Sequence, residues 1–158
     1  VLVLLSRLGL RAGEVARLTL DDIDWDAGEI TVIGKGSRVE RLPLPADVGK
    51  AMVDYLAHGR RPTADRHVFL TLHAPHGPMT RDAVKGAVRH GCDRAGIERV
   101  GPHRLRHTAA TDMLRAGAAL EEVGQVLRHR SASTTAIYAK CDTEALRSLA
   151  MVWPGGVR

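Results

Sequence analysis

The segment from Asp22 to Leu44, DIDWDAGEITVIGKGSRVERLPL, breaks the helical rhythm of the chain around it. Ile23 and Trp25 alternate with Asp22, Asp24 and Asp26. Ile30 and Val32 follow, then Val39 and Leu42, with Ala27-Gly28 and Gly34-Lys35-Gly36-Ser37 as turns between the runs. A period of two interrupted by glycine turns predicts three short antiparallel strands, and the alternation sets Ile23 and Trp25 on one face. With so little strand, the rest of the core must come from helices. The expected fold class is therefore α+β, mainly α-helical, with one small three-stranded antiparallel sheet.

The flanking segments carry helix starts and stops. VLVLLSR is an apolar helical stretch, and GLRAGEVARLTL reads as a turn and a short helix with Val15 and Leu18 spaced toward a core. Pro45 opens the next helix, which runs through ADVGKAMVDYLAHG to a C-cap at Gly59. The apolar HVFL lies in a Pro/His-rich connection, and the next helix runs from an N-cap at Thr80 to Gly96. A helix from Pro102 to Gly117, the segment LEEVGQVLRH, a short helix from Ser133 to Tyr138 and a last helix, TEALRSLAMV, complete the pattern.

At 158 residues and 44% hydrophobic content, the chain suffices for one well-buried core, so residues 1–158 are expected to form one domain. It opens at Val1 inside an apolar helical pattern, and its N-terminal side is expected to be cut from something longer. The opening apolar run reaches only Leu5 before Ser6 and Arg7 and has no basic stretch ahead of it, which argues against a signal peptide or membrane span. A soluble, cytoplasmic protein is the expectation. Cys92 and Cys141 stand far apart without metal-ligand spacing, so neither a disulfide framework nor structural zinc is indicated. The net charge of +5 and pI near 9.8 suit a polyanionic partner.

GPHRLRHT, residues 101–108, crowds His103, Arg104, Arg106 and His107 into the first turns of a helix, where the backbone already carries partial positive charge. His103, Arg106 and His107 fall within an arc of about 100°. Leu105, Ala109 and Met113 run down another side at intervals of four, so the helix is expected to bury that stripe and present His103 and Arg106 outward. An anion there would meet a guanidinium fork, an imidazole and a helix N-terminus together. A zinc site on His103 and His107 is disfavoured, because Arg104 stands where a zincin has its glutamate. The aspartates of DDIDWD do not form a calcium loop, since Ala27 and Ile33 occupy the positions that need Gly and Glu. No cofactor or metal is expected.

Singly, Arg11 in GLRAGE, Lys35 in GKGS, His129 and Tyr138 are ordinary residues. Their order changes the reading. GLRAGEVARL, GKGSRVERLPL, HRLRHTAAT and LRHRSASTTAIYAK, spanning about Leu8 to Lys140, resemble the successive active-site motifs of the tyrosine recombinases, the phage-integrase family that includes the Xer proteins. In the last motif the family usually has Gly immediately before His. This chain has Arg128 there, where Gly would allow close approach or an unusual φ.

The resemblance implies that Tyr138 attacks a DNA phosphodiester to give a 3′-phosphotyrosine and a free 5′-hydroxyl. Arg11 and Arg106 would stabilise the charge on the non-bridging oxygens. His103 would hydrogen-bond the same oxygens and could take the tyrosine proton, Lys35 would protonate the leaving oxygen, and His129 would add a donor. Glu14 would orient Arg11 or His103, and His107 would support the box. Double-stranded DNA is the implied partner. The resemblance also implies a tetramer on paired sites for the full-length protein, a separate N-terminal domain that completes the clamp, and a last helix that packs either on its own protomer or on a neighbour. A type IB topoisomerase, a DNA-binding module without catalysis and a phosphopeptide binder are the rival readings.

Overall fold

A computed structural model describes residues 1–34 and 36–128 of the chain. Lys35 and residues 129–158, which include His129, Tyr138, Cys141 and the two helices expected from Ser133 onward, lie outside the described residues.

A first compact unit spans Val1–Ala109. Its helices are α1 (Leu2–Arg7), α2 (Ala12–Arg17), α3 (Ala46–Asp54), α4 (Arg81–Ala95) and the start of α5 (Pro102–Arg115). Its strands are β1 (Ile23–Asp24), β2 (Glu29–Ile33) and β3 (Val39–Pro43). Leu4, Leu5, Val15, Ile30, Val48, Val84 and Val88 are almost wholly withdrawn from water and share one apolar cluster. Burying a side chain of that size contributes roughly 1.5–3 kcal/mol, so this cluster is the main term holding the unit together. The packing of α1 against α4 is close: a Cβ added at Gly91 would stand 3.0 Å from the Leu2 Cδ1.

The strands pair antiparallel in the order β1-β2-β3, with Ile23 opposite Ile30 and Ile30 opposite Leu42. Ile23, Ile30, Val32 and Leu42 form the buried face. Trp25 departs from the alternation and is 46% exposed. Local capping explains this. Residues Leu20–Asp22 form a 3-10 turn, with the Asp22 carboxylate accepting from the Thr19 backbone N–H at 2.8 Å and its hydroxyl at 2.7 Å. Asp24 then accepts from the Ala27 N–H at 2.9 Å, so the chain is turning by the time it reaches Trp25.

Pro45 caps α3 as expected, but the helix continues into a π-helical turn over Tyr55–Gly59. Gly59 does not serve as a left-handed C-cap. A Cβ there would lie 2.8 Å from the Tyr55 ring, so glycine is required for close approach. That ring stacks at a tilt on Phe69, with centroids 5.2 Å apart, and ties HVFL into the core. α4 has both predicted ends: the Thr80 hydroxyl accepts from the Ala83 N–H at 3.1 Å, and Gly96 takes a φ of +64°. Val84, Val88 and Cys92 give α4 its buried stripe.

The second unit begins at Ala110. Within it, Ala110 from α5 and Val123 and Leu127 from α6 (Leu120–Val126) and its C-cap form a small cluster with Met113 and Leu114. Gly117, at φ +94°, turns the chain between the two helices. Among the described residues no helix is long and apolar enough to cross a membrane.

Candidate active site

The end of α1 sets up the first arginine. After Leu8 the backbone enters the left-handed region at Gly9, with φ +57°, a conformation an L side chain resists. The following N–H, on Leu10, donates to the Leu4 carbonyl at 3.2 Å, and the Leu10 side chain is fully buried. The chain is thus pinned on both sides of a tight turn just before Arg11.

Arg11 is the N-cap of α2, and Glu14, one turn on, holds it twice. The Arg11 backbone N–H donates to Glu14 Oε2 at 2.7 Å, and its guanidinium Nη1 donates to Oε1 at 2.8 Å. The Glu14 side chain is 2% exposed and that of Arg11 41%, so a buried carboxylate steers a guanidinium that still reaches solvent. A carboxylate in the first turn also matches the positive end of the helix.

α5 starts at Pro102, where the absent N–H costs nothing and the ring presets the helical φ. His103 is exposed and His107 half-buried. The expectation that His103 and Arg106 both face outward holds for His103 alone. Arg106 is only 3% exposed, and its guanidinium Nη1 donates to the carbonyl of Gly9, 97 positions away in sequence. A helical wheel places Arg106 beside His103 but carries no information about a distant carbonyl at the same height. Leu105, expected on the apolar side, packs against the first core as predicted.

The described residues therefore bring Arg11, Glu14 and Arg106 to one place. Gly9 and Arg11 are two residues apart on a single turn; Arg106 grips the first and Glu14 the second. Sequence reasoning missed Gly9, although a glycine directly after an apolar helix was a legible stop signal. Lys35, His129 and Tyr138 fall outside the described residues. Beside Lys35, Gly36 and Ser37 have φ values of +81° and +55°, and the Gly34 N–H donates to the Arg38 carbonyl at 2.8 Å to close the β2–β3 hairpin.

Arg128 occupies the position where glycine was anticipated. It follows the C-cap Leu127, donates its N–H to the Gln125 carbonyl at 2.9 Å and has φ +56°. The backbone is the one a glycine would supply, adopted by an arginine.

Comparison with known proteins gives a consistent picture. The profile of the phage integrase family matches residues 1–145. The integrase/recombinase y4rA of Sinorhizobium fredii (strain NBRC 101917 / NGR234) is 52% identical over 98% of this chain, which spans 38% of that protein's length. The tyrosine recombinase XerC of Staphylococcus aureus (strain JH9) is 34% identical over 94% of the chain, which covers 50% of XerC. Among solved structures, the XerH site-specific recombinase in a post-cleavage complex with its palindromic difH substrate superposes with a TM-score of 0.76 at 25% identity, over 96% of this chain and 44% of that one. The small antiparallel sheet and the helical core match the fold of solved tyrosine recombinases, and the chain belongs to the phage integrase family of tyrosine recombinases.

Proposed function

We propose that this chain is the catalytic domain of a site-specific DNA recombinase that cuts and rejoins strands through a covalent tyrosine intermediate. The observation that carries the reading is the convergence of a buried Arg106 and a carboxylate-steered Arg11 on the single turn from Gly9 to Arg11. Two guanidinium groups held there suit a phosphate whose non-bridging oxygens gain charge as it is attacked. A planar fork serves two such oxygens at once, so lysine at either position is a poor substitute.

Tyr138 supplies the nucleophile. Its oxygen bonds to phosphorus while the bond to the 5′-oxygen breaks, leaving a 3′-phosphotyrosine. His103, exposed at the start of α5, takes the tyrosine proton and hydrogen-bonds the phosphate. Lys35 donates a proton to the departing 5′-oxygen, His129 adds a phosphate donor, and His107 supports the box. One phosphodiester replaces another, so a second strand's 5′-hydroxyl reverses the step without ATP or a metal ion. Double-stranded DNA is the partner, attracted by the net charge of +5. In the whole protein a separate N-terminal domain completes the clamp on DNA, four protomers assemble on paired sites, and the reaction takes place in the cytoplasm.

A nicked duplex tests the reading. The nick lets the short 5′-hydroxyl strand diffuse away after cleavage and traps the covalent adduct. Adduct formation lost in Tyr138→Phe supports the proposal; tight duplex binding with no adduct overturns it.

A further inference from the structure

We infer that Gly9 is a positioning residue for phosphoryl transfer: its left-handed backbone aims the carbonyl that orients Arg106 and, two residues on, sets Arg11 against Glu14. The inference rests on the reading of Arg106 and Arg11 as phosphate-stabilising groups.

The Gly9–Arg11 turn meets several constraints at once. Arg106 is almost wholly buried and donates to the Gly9 carbonyl, so the direction of that carbonyl constrains the plane of the guanidinium. Carbonyl direction is a function of the backbone dihedrals, and at φ +57° it points where a residue in the ordinary α or β region would not aim it. The turn cannot relax freely, because the Leu10 N–H is bonded to Leu4 and the Leu10 side chain is buried. Nor can Arg11 drift, since Glu14 grips both its N–H and its guanidinium. Rotation of the Gly9 peptide would therefore move Arg106 relative to Arg11 and spoil a shared grip on one phosphate. Losing such a fit falls on the transition state more than on ground-state binding.

Asparagine tolerates the left-handed region far better than alanine, so the two substitutions separate backbone geometry from the mere addition of a side chain. The test measures single-turnover adduct formation at saturating nicked duplex, together with duplex Kd and melting temperature, for the parent, Gly9→Ala, Gly9→Asn and Arg106→Ala. Each is assayed on a normal scissile phosphate and on a methylphosphonate, which lacks one of the negative charges the arginines would stabilise. Gly9→Ala should cleave the phosphate at least about tenfold more slowly with Kd within about twofold, and its deficit should narrow to less than about threefold on the methylphosphonate. Gly9→Asn should stay within about threefold of the parent on both. Equal deficits on the two substrates, or Gly9→Ala cleaving at the parent rate while Arg106→Ala is inactive, overturn the role of Gly9 alone. Loss of cleavage in a Gly9→Asn protein of parental melting temperature does the same. Arg106→Ala cleaving at the parent rate overturns the phosphoryl-transfer reading and this inference together.

Discussion

Glu14 meets Arg11 with both carboxylate oxygens, one on the backbone N–H at 2.7 Å and one on the guanidinium at 2.8 Å, and the carboxylate is buried while the arginine is not. The asymmetry has a thermodynamic consequence. Removing the arginine side chain takes the neighbouring positive charge away from a buried carboxylate that keeps its backbone N–H donor, whereas removing the charge of both partners costs less.

Arg11→Ala should therefore destabilise the domain, by about 1–3 kcal/mol once the partial exposure of Arg11 is allowed for. Adding Glu14→Gln to Arg11→Ala should recover part of that loss, because a neutral amide tolerates burial better than a carboxylate. Urea denaturation of the two single variants and the double variant checks this. A double variant less stable than Arg11→Ala would contradict it.

Arg128, at φ +56° after the end of α6, predicts a second difference. Arg128→Gly and Arg128→Ala both delete the same side chain, but only glycine adopts that backbone freely. Glycine gains about 1–2 kcal/mol of relieved strain and loses about 0.5–1 kcal/mol to its greater freedom when unfolded. The glycine variant should be the more stable of the two, by roughly 0.5 kcal/mol. Equal urea midpoints, or a midpoint favouring alanine, would show that the turn does not need a left-handed residue.

Asp93 faces Arg99 through paired contacts at 2.7 and 3.1 Å, and that side-chain hydrogen bonding holds its carboxyl below the usual carboxylate range. With the folded value depressed, the unfolded chain binds more protons in the interval between the two values. The contribution is then complete above the unfolded value, near 4, and fades as pH falls through the folded one. The stability difference between the parent and Asp93→Asn should stay constant from neutral pH down to about 5 and shrink below about 4. A difference that grows on acidification would reverse the sign and refute the assignment.

Much of this architecture was legible in advance because its determinants are local. Thr80 and Gly96 bound α4 through a side-chain oxygen and a left-handed glycine, both written into the residue types. The three strands followed from a period of two and from glycine turns. What escaped was set by competition or by distance. Trp25 lost its strand because Asp22 and Asp24 drew the backbone into capped turns on either side. Gly59 looked like a left-handed cap, yet the ring of Tyr55 one turn back requires it. Arg106 read as a surface group because its acceptor, the Gly9 carbonyl, belongs to a helix end far away in the sequence. The same contact hid the part Gly9 plays in holding Arg106.

The most direct test of the central claim is to digest the covalent adduct formed on nicked duplex and map the attached nucleotide by mass spectrometry. The expected product is a 3′-phosphate linked to the peptide that contains Tyr138, with a free 5′-hydroxyl on the released strand. Attachment at another residue, such as Tyr55, or cleavage that leaves a 5′-phosphate on the protein, would contradict it.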